Sequence, residues 1–429
     1  MKCSNYNYFI ENEKYTYWYN GLEHTYFRLP IELGRKIKRI IDINPSDLQL
    51  SCNSFYNKLL DNGFIIEDDK DELAIIRERH QLAVNSKDYM LTVMPTLNCN
   101  FKCWYCIQDH IPSLMNAETI DKVKAHINYI LEVEKITSLH LEWFGGEPFM
   151  FFKKVVLPIS EYAIEKCKEY NVPFYNSATT NAYYLIPETA TMLKELKFEV
   201  FQITLDGPKE FHDKVKYQKD CPSAFQRVLY NIENILNSIE NAMILLRINY
   251  TRENLSNVIV QQVNQFISEK NRCRVRILPK KVWQEKVDLS LFQKVKSLML
   301  LFEKSGYIVT KLDLILNFVT CYAERKCYNA INYNGDIVKC TACNDLYSEA
   351  PGKLNSDGTI TWRYENFDEM YFKDRFEIPE CIACQKLPIC MGMCPRNYNK
   401  NQSFYCKLEG SNIDVEEAIV DYINSEYEE

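Results

Sequence analysis

The distribution of cysteines constrains this chain more than any other feature. Its 429 residues include 17 cysteines, of which three lie between Cys99 and Cys106 and nine lie between Cys321 and Cys406. The N-terminus lacks the apolar core of a signal peptide, and no apolar run approaches the roughly 18 residues of a membrane helix. We therefore expect a cytoplasmic protein without membrane contact, in which clustered, reduced thiols bind metal rather than form disulfides.

The remaining composition narrows the class of protein. Apolar residues make up 46% of the chain and charged residues 25%, which is ordinary for a globular protein. The formal net charge of −7 disfavours nucleic acid as a partner, because phosphate binding requires a basic surface. A chain of this length accommodates two or three domains, and its pattern changes near residues 88 and 310.

Residues 1–88 predict a small module with a winged-helix-like order of elements. Aromatic and polar residues alternate in Tyr6–Tyr19 and Tyr26–Leu29, and Asn20-Gly21 between them is typical of a hairpin turn. Two helical patterns and a short strand follow, at Ile31–Ile41, Pro45–Leu60 and Phe64–Ile66. This order favours a winged-helix-like module and resembles modules of that type that recognise a peptide leader; the alternative is an N-terminal segment that only covers the next domain.

Residues 89–310 alternate short apolar strands with amphipathic helices. The strand candidates are Met90–Met94, Ser138–Trp143, Phe174–Thr179, Glu199–Thr204, Ala242–Asn249 and Arg274–Leu278. The helical stretches include Ala117–Glu132, Leu157–Tyr170, Ile186–Leu196 and Ser223–Ser238. Six strands separated by helices predict an α/β fold with a parallel sheet, either open or curled into a partial (β/α)6 TIM barrel. We expect the chemistry at the C-terminal ends of these strands.

Residues 311–429 predict a loop-rich domain that depends on metal. This segment has few long apolar periods and carries most of the cysteines of the chain. Metal clusters would therefore replace much of a hydrophobic core there.

The triplet Cys99-x3-Cys103-x2-Cys106 directly follows the first predicted strand of the second domain, and Tyr105 precedes its last cysteine. Three thiolates on one loop can bind three irons of a four-iron cluster and leave the fourth iron to a small chelating molecule. The alternative is a zinc site, which requires four closed ligands, and His110 is the nearby candidate for the fourth.

The segments after the triplet resemble motifs of the radical S-adenosylmethionine (SAM) superfamily. Trp143-Phe-Gly-Gly-Glu-Pro148 is similar to its GGEP motif, and Thr180-Asn181 matches its T-N-G segment with Ala182 in place of the glycine. Thr204-Leu-Asp-Gly-Pro208 and the following His212-Asp213 match its S-x-D-G-P…H-D pattern. The resemblance implies a SAM site formed by Tyr105, Gly145, Gly146, Glu147, Thr204, Lys216 and Leu278.

Two of these implied cofactor contacts depart from a simple match. Lys216 occupies a position where the family often has an arginine, and lysine offers charge without a bidentate fork. Leu278 matches a position that packs near the adenine, but it also fits an ordinary core leucine.

The C-terminal cysteines resemble a SPASM domain, the extension that binds two auxiliary four-iron clusters in peptide-modifying members of the superfamily. The resemblance implies one cluster on Cys321, Cys327, Cys340 and Cys394. It implies a second cluster on Cys381, Cys384, Cys390 and Cys406. A pair of zinc ribbons is the alternative, since eight thiols and paired C-x2-C spacings also suit zinc. Cys343, which forms a C-x2-C pair with Cys340, is a further candidate ligand.

These resemblances imply three [4Fe-4S] clusters, SAM and the activity of a radical SAM peptide maturase. In such enzymes a donor such as flavodoxin or ferredoxin reduces the first cluster, and a 5′-deoxyadenosyl radical abstracts a hydrogen atom from the substrate. The implied substrate is a ribosomally made precursor peptide bound through its leader. The implied modification is a cross-link, a thioether or an epimerised centre.

Two other functions are weighed against this one. Anaerobic sulfatase-maturating enzymes, which form formylglycine, usually carry an Asp after the third auxiliary cysteine, where this chain has Thr341, and they lack so long an N-terminal segment. A non-catalytic electron-transfer or binding protein is disfavoured by the intact triplet and the GGEP segment.

Overall fold

The computed structural model describes residues 1–286, 288–309, 321–342, 350–363, 375–392, 394, 406 and 414–427. Its strands are β1 (Lys2–Cys3), β2 (Asn7–Glu11), β3 (Tyr15–Asn20), β4 (Thr25–Pro30), β5 (Ile65–Ile66), β6 (Asp88–Val93), β7 (Ser138–Trp143), β8 (Phe174–Thr180), β9 (Phe198–Leu205), β10 (Met243–Tyr250), β11 (Val275–Lys281), β12 (Ile308–Val309), β13 (Tyr328–Ile331), β14 (Asp336–Val338), β15 (Gly352–Leu354) and β16 (Ile360–Trp362).

The helices are α1 (Ile31–Ile43), α2 (Pro45–Ser51), α3 (Asn53–Asp61), α4 (Glu72–Val84), α5 (Ala117–Glu132), α6 (Leu157–Glu169), α7 (Pro187–Glu195), α8 (Lys209–Val215), α9 (Ala224–Ser238), α10 (Val258–Asn264), α11 (Glu269–Arg272), α12 (Phe292–Lys304), α13 (Pro379–Ile382), α14 (Leu387–Cys390) and α15 (Val415–Tyr427). None of the helices in the described ranges is both long enough and apolar enough to cross a bilayer.

The chain forms two compact units. Unit one comprises Met1–Asn85, Lys311–Arg325 and Glu369–Glu429, and unit two comprises Ser86–Thr310 and Lys326–Asp368. The division into three domains, 1–88, 89–310 and 311–429, stays a prediction. The two compact units divide the chain differently, because parts of 311–429 belong to the same unit as the N-terminal segment and other parts belong to the same unit as the parallel sheet.

Unit two is built on one eleven-stranded mixed sheet with the order β12-β11-β10-β9-β8-β7-β6-β13-β14-β15-β16. From β6 to β12 the strands are parallel and follow their sequence order, as in a singly wound (β/α) barrel, whereas a doubly wound sheet reverses its order. On its other side β6 pairs with β13, so the sheet is open. The predicted α/β class is confirmed, and the six predicted strands agree with the observed ones within three residues at each end.

The two faces of this sheet differ in polarity. One face packs under α5, α6, α7 and α9 and forms the main core with Leu91, Leu141, Trp143, Phe201, Ile203, Leu246 and Ile277. Residues that alternate with these, among them Thr92, Glu142, Gln202 and Arg247, lie on the opposite face. We call this opposite face the inner face. Its polar side chains suit a ligand-binding surface rather than a core.

Unit one contains an antiparallel sheet, β2-β3-β4, and a short β1–β5 pair. Its sheet residues pack with α15 in one apolar cluster that includes Tyr8, Tyr19 and Ile419. A second cluster joins Trp18 to Ile37 on α1. The three-stranded sheet is therefore covered on both faces.

The structure corrects three elements predicted for the N-terminal segment. The single strand Tyr6–Tyr19 is two strands, because the Asn12 side chain accepts from the amides of Lys14 and Tyr15 and turns the chain. The predicted helix Pro45–Leu60 is interrupted at Cys52, whose backbone leaves the helical region. Helix α4 was not predicted, because its buried positions include Glu72 and His80 and so form no apolar stripe.

Candidate active site

The cysteine triplet lies on the loop between β6 and α5, at the C-terminal end of β6. We call residues 94–116 the cysteine loop. Ser113 closes its base, since its carbonyl accepts from the Thr96 hydroxyl at 2.6 Å and its hydroxyl accepts from the Leu97 amide at 2.8 Å. Phe101 is buried and packs edge-on against Tyr183. Local hydrogen bonds and one aromatic anchor therefore shape this loop.

The three thiols have an environment suited to metal ligation. The amide of Phe101 donates to Cys99 Sγ at 3.4 Å, and the side-chain amide of Asn181 donates to it at 3.7 Å. Burial raises the pKa of the Cys99 thiol to about 12, and burial also raises the pKa of Cys103 and Cys106. Loading a cluster would therefore displace protons from these thiols, while the amide donors would stabilise the bound sulfur.

Within the described ranges, no three His, Cys, Asp or Glu side chains converge on a point as ligands of a single metal ion do. A four-iron cluster makes no such demand, because each of its cysteines binds a different iron. Three soft thiolates on one loop, with amide donors to sulfur, fit an iron–sulfur cluster better than a closed zinc site.

Gly145 and Gly146 bring the end of β7 against the cysteine loop. Both have positive φ, +84° and +51°. A Cβ on Gly146 would lie 2.0 Å from the Asn98 carbonyl oxygen, so only glycine permits this approach. The contact is fastened by hydrogen bonds from the Glu147 amide to that carbonyl and from the Gly146 amide to the Gln108 side chain, both at 2.9 Å.

Glu147 is fully buried and connects the end of β7 to the end of β8. Its carboxylate accepts from the Thr180 hydroxyl at 2.8 Å, from the Asn181 amide at 2.8 Å and from the Phe149 amide at 3.0 Å. Burial raises its pKa to about 7, and these donors partly offset the effect. The structure thus places Glu147 in an internal network that shapes the GGEP segment. Ala182, the departure from T-N-G, adopts a positive φ of 60°.

Tyr105, Asp206 and Lys216 form a second internal network. The Tyr105 hydroxyl and the Lys216 ammonium both donate to the Asp206 carboxylate, and Lys216 also donates to Tyr105 at 3.3 Å. Asp206 and Lys216 are 1% and 3% exposed. Because it pairs with Lys216, Asp206 has a lowered pKa although burial opposes this. The network ties the cysteine loop to the end of β9.

Thr204 and Leu278 lie on β9 and β11, and Arg247 lies between them in register on β10. Asp206 and Arg247 were not among the predicted site residues. Asp206 stands inside the Thr204–Pro208 motif and carried a signal in the sequence, whereas only the strand register identifies Arg247.

The C-terminal cysteines are distributed over both units. Unit two contains Cys327, buried just before β13, and Cys340, just after β14. Unit one contains Cys321, Cys381, Cys384, Cys390, Cys394 and Cys406, of which Cys381 is buried on α13. Cys390 and Cys406 pack against the same apolar cluster, beside Ile389 and Ile419. The candidate ligand Cys343 lies outside the described residues.

Comparisons with known proteins agree with this geometry. Residues 93–259 match the family described as the Radical SAM superfamily. The radical SAM cyclopropyl synthase TigE of Paramaledivibacter caminithermalis is 23% identical over 380 residues, covering 80% of this chain and 76% of TigE. A cysteine-type anaerobic sulfatase-maturating enzyme of Clostridium novyi is 27% identical over 158 residues, covering 34% of this chain and 40% of that enzyme.

Two solved structures share the fold. Native anSMEcpe with bound AdoMet superposes with a TM-score of 0.55 at 20% identity, covering 79% of this chain and 97% of anSMEcpe. Streptococcus suis SuiB superposes with a TM-score of 0.53 at 17% identity, covering 97% of this chain and all of SuiB. With a cysteine triplet after β6, a GGEP turn against it and a sequential parallel sheet, the chain carries a radical SAM domain and is homologous to the sulfatase-maturating enzymes.

Proposed function

We propose that this chain is a radical SAM maturase of a ribosomally made precursor peptide. The observation that carries the proposal is the close approach of Gly146 to Asn98, which holds the GGEP turn over the cysteine loop. When bound, a reduced cluster on Cys99, Cys103 and Cys106 together with SAM supplies hydrogen-atom abstraction by the 5′-deoxyadenosyl radical. The modification would be a cross-link, a thioether or an epimerised centre.

The residues of the chain would bind the cluster and SAM, orient the substrate and exclude water from the site. The cysteines would hold the cluster, and Gly145 and Gly146 would let the cofactor approach the backbone. The inner face, polar along β6 to β10, would receive the substrate at the C-terminal ends of the strands. Two auxiliary four-iron clusters on the C-terminal cysteines would accept the electron that the substrate radical loses when it is oxidised, as their full cysteine ligation suggests.

The N-terminal sheet supports a peptide substrate. Its two outer strands, β2 and β4, differ in how many of their outward-facing groups already form hydrogen bonds. On the β2 edge, the Gln385 side-chain amide donates to the Asn7 carbonyl, and the Gln385 backbone carbonyl accepts from the Tyr8 hydroxyl. On the β4 edge, the Arg28 amide points outward and donates to the Tyr427 hydroxyl at 3.3 Å. An extended leader would add most readily to β4, displacing one side-chain contact.

A second candidate is sulfatase maturation, which the similarity to the Clostridium novyi enzyme favours. Thr341, in place of the usual Asp after Cys340, argues against it. A precursor encoded beside this gene and a sulfatase peptide are the two substrates to compare. Absence of SAM cleavage by the reduced protein would instead indicate a non-catalytic protein.

The metal content tests the first half of the proposal. Anaerobically reconstituted protein should bind about twelve irons, four for each cluster. Replacement of Cys99, Cys103 and Cys106 by Ala should remove about a third of the iron and abolish SAM cleavage. The matched control is Cys167→Ala, a buried thiol on α6 outside all three sets, which should keep its iron. Stoichiometric zinc without iron would contradict the proposal.

The peptide half is tested by blocking one strand edge in the full-length chain, because β2 and β3 share an apolar cluster with α15 and the N-terminal module does not stand alone. Arg28→Pro removes one outward amide of β4, whereas Glu11→Pro removes one of β2 and Arg28→Ala keeps the amide. Leader affinity should fall only in Arg28→Pro. Equal leader affinity in all three would exclude strand addition at β4.

A further inference from the structure

The resemblance to radical SAM enzymes places Lys216 among the SAM contacts, where the family often has an arginine, yet this ammonium already has internal partners. Lys216 is 3% exposed, pairs with Asp206 and donates to Tyr105. Diverting the ammonium to a ligand would leave Asp206 as an uncompensated buried charge, which is strongly unfavourable. Lys216 is therefore not available as a partner for the carboxylate of SAM.

Arg247 occupies the position that such a partner requires. On the paired strands β9, β10 and β11, Thr204, Arg247 and Leu278 are register partners in one row. Residues in register on parallel strands share a face, so Arg247 lies on the inner face between two positions that the sequence assigned to SAM. Its charge is also within electrostatic reach of Tyr105 on the cysteine loop and of Asp206.

The guanidinium of Arg247 is oriented but not saturated. Its Nε donates to the Asn249 side chain at 2.8 Å, and the Asn249 amide in turn donates to Asp206 at 3.4 Å. Its two Nη groups have no hydrogen-bond or ion-pair partner among the residues that the structure describes. Arg247 is only half-buried, so a ligand can reach it. Two parallel N–H groups form the fork that matches a carboxylate.

We propose that Arg247 binds the carboxylate of SAM and that Lys216 is a positioning residue, which holds the cysteine loop through Asp206 and Tyr105. The sequence resemblance placed Lys216, and not Arg247, among the SAM contacts. Asn249 orients the guanidinium from one side, and the hydroxyl of Thr204 stands beside it on the neighbouring strand. The assignment depends only on the radical SAM domain and is independent of the substrate.

A pair of ligands that differ only in the carboxylate separates the two roles. We would measure the affinities of SAM and decarboxylated SAM for the reconstituted, oxidised protein by anaerobic equilibrium dialysis, in which no cleavage occurs. Arg247→Met should weaken SAM about 10- to 100-fold, the range for a charged hydrogen bond, and should leave decarboxylated SAM within about twofold. Arg247→Lys should recover part of the loss, because it restores charge without the fork.

The controls decide between Arg247 and Lys216. Lys216→Met should lower the cluster content or weaken both ligands alike, so the ratio of the two affinities stays that of the wild type. Arg276→Met removes another inner-face arginine, on β11, and should change neither affinity. The proposal fails if Arg247→Met and Arg247→Lys keep the wild-type ratio, and it also fails if Lys216→Met removes the preference for SAM. Iron content and absorbance confirm that each variant is loaded.

Discussion

One part of the pH dependence of stability between pH 5 and 8 should come from a buried histidine, His126 of α5. Its ring is 1% exposed, its Nδ1 lies 2.7 Å from the Gly358 carbonyl oxygen, and its Nε2 lies 2.9 Å from the Tyr89 hydroxyl. The neutral ring satisfies both contacts, with Nδ1–H donating to the carbonyl and Nε2 accepting from the hydroxyl. Protonation would put a second donor against Tyr89, which already accepts from Asn329.

The size of the effect follows from the pKa of His126. Burial lowers it from the ordinary value of 6.5 to about 4. As the pH falls below 6.5, the unfolded chain takes up a proton that the folded chain refuses, so the stability present above pH 6.5 is lost towards pH 4. A shift of this size contributes about 3 kcal/mol over the whole window and about 2 kcal/mol between pH 8 and pH 5.

Hydrogen exchange of amides in α5 and in the β15–β16 hairpin measures this local stability at both pH values. We compare the protection factors of the wild type with those of His126→Gln at each pH. Their ratio cancels the intrinsic pH dependence of exchange and the titration of other histidines. A glutamine side chain can donate to Gly358 and accept from Tyr89 but does not titrate. Protection in the wild type should fall about 30-fold more than in the variant on going from pH 8 to pH 5. Equal falls in both proteins would refute the reasoning.

Three further changes test the packing and the site. Gly358→Ala should cost about 2–3 kcal/mol more than Gly306→Ala, because both have positive φ but only at Gly358 would the Cβ lie 2.4 Å from the Ala125 backbone; thermal unfolding compares them. Glu147→Gln should lower stability by about 1–3 kcal/mol and weaken SAM binding measured by dialysis, since an amide nitrogen would face hydrogen-bond donors. Cys381→Ala should reduce product formation more than SAM cleavage, and normal product formation by a soluble variant would exclude a role for its cluster.

The sequence alone identified the elements whose signal is local. Cysteine spacing predicted the triplet, the paired glycines predicted the GGEP turn, and short apolar runs predicted the six strands of the parallel sheet. Each of these signals lies within a short stretch of sequence. Helix α5, predicted over Ala117–Glu132, has those bounds in the structure, because Asn116 caps its first turn and its apolar stripe is continuous. Helix α4 was not predicted, because Glu72 is buried through partners that are distant in sequence, the Ser4 hydroxyl and the Asn5 amide.

Only the tertiary structure decided which charged groups are available. In sequence, Lys216 is a plausible ligand of a carboxylate, and Arg247 is an ordinary polar residue of a strand. Folding brings Lys216 against Asp206, ten residues away, and against Tyr105, more than a hundred residues away. Its ammonium is therefore already paired with these internal partners. Strand register places Arg247 between Thr204 and Leu278. Pairing and register depend on contacts between distant segments, which a local pattern of residues does not encode.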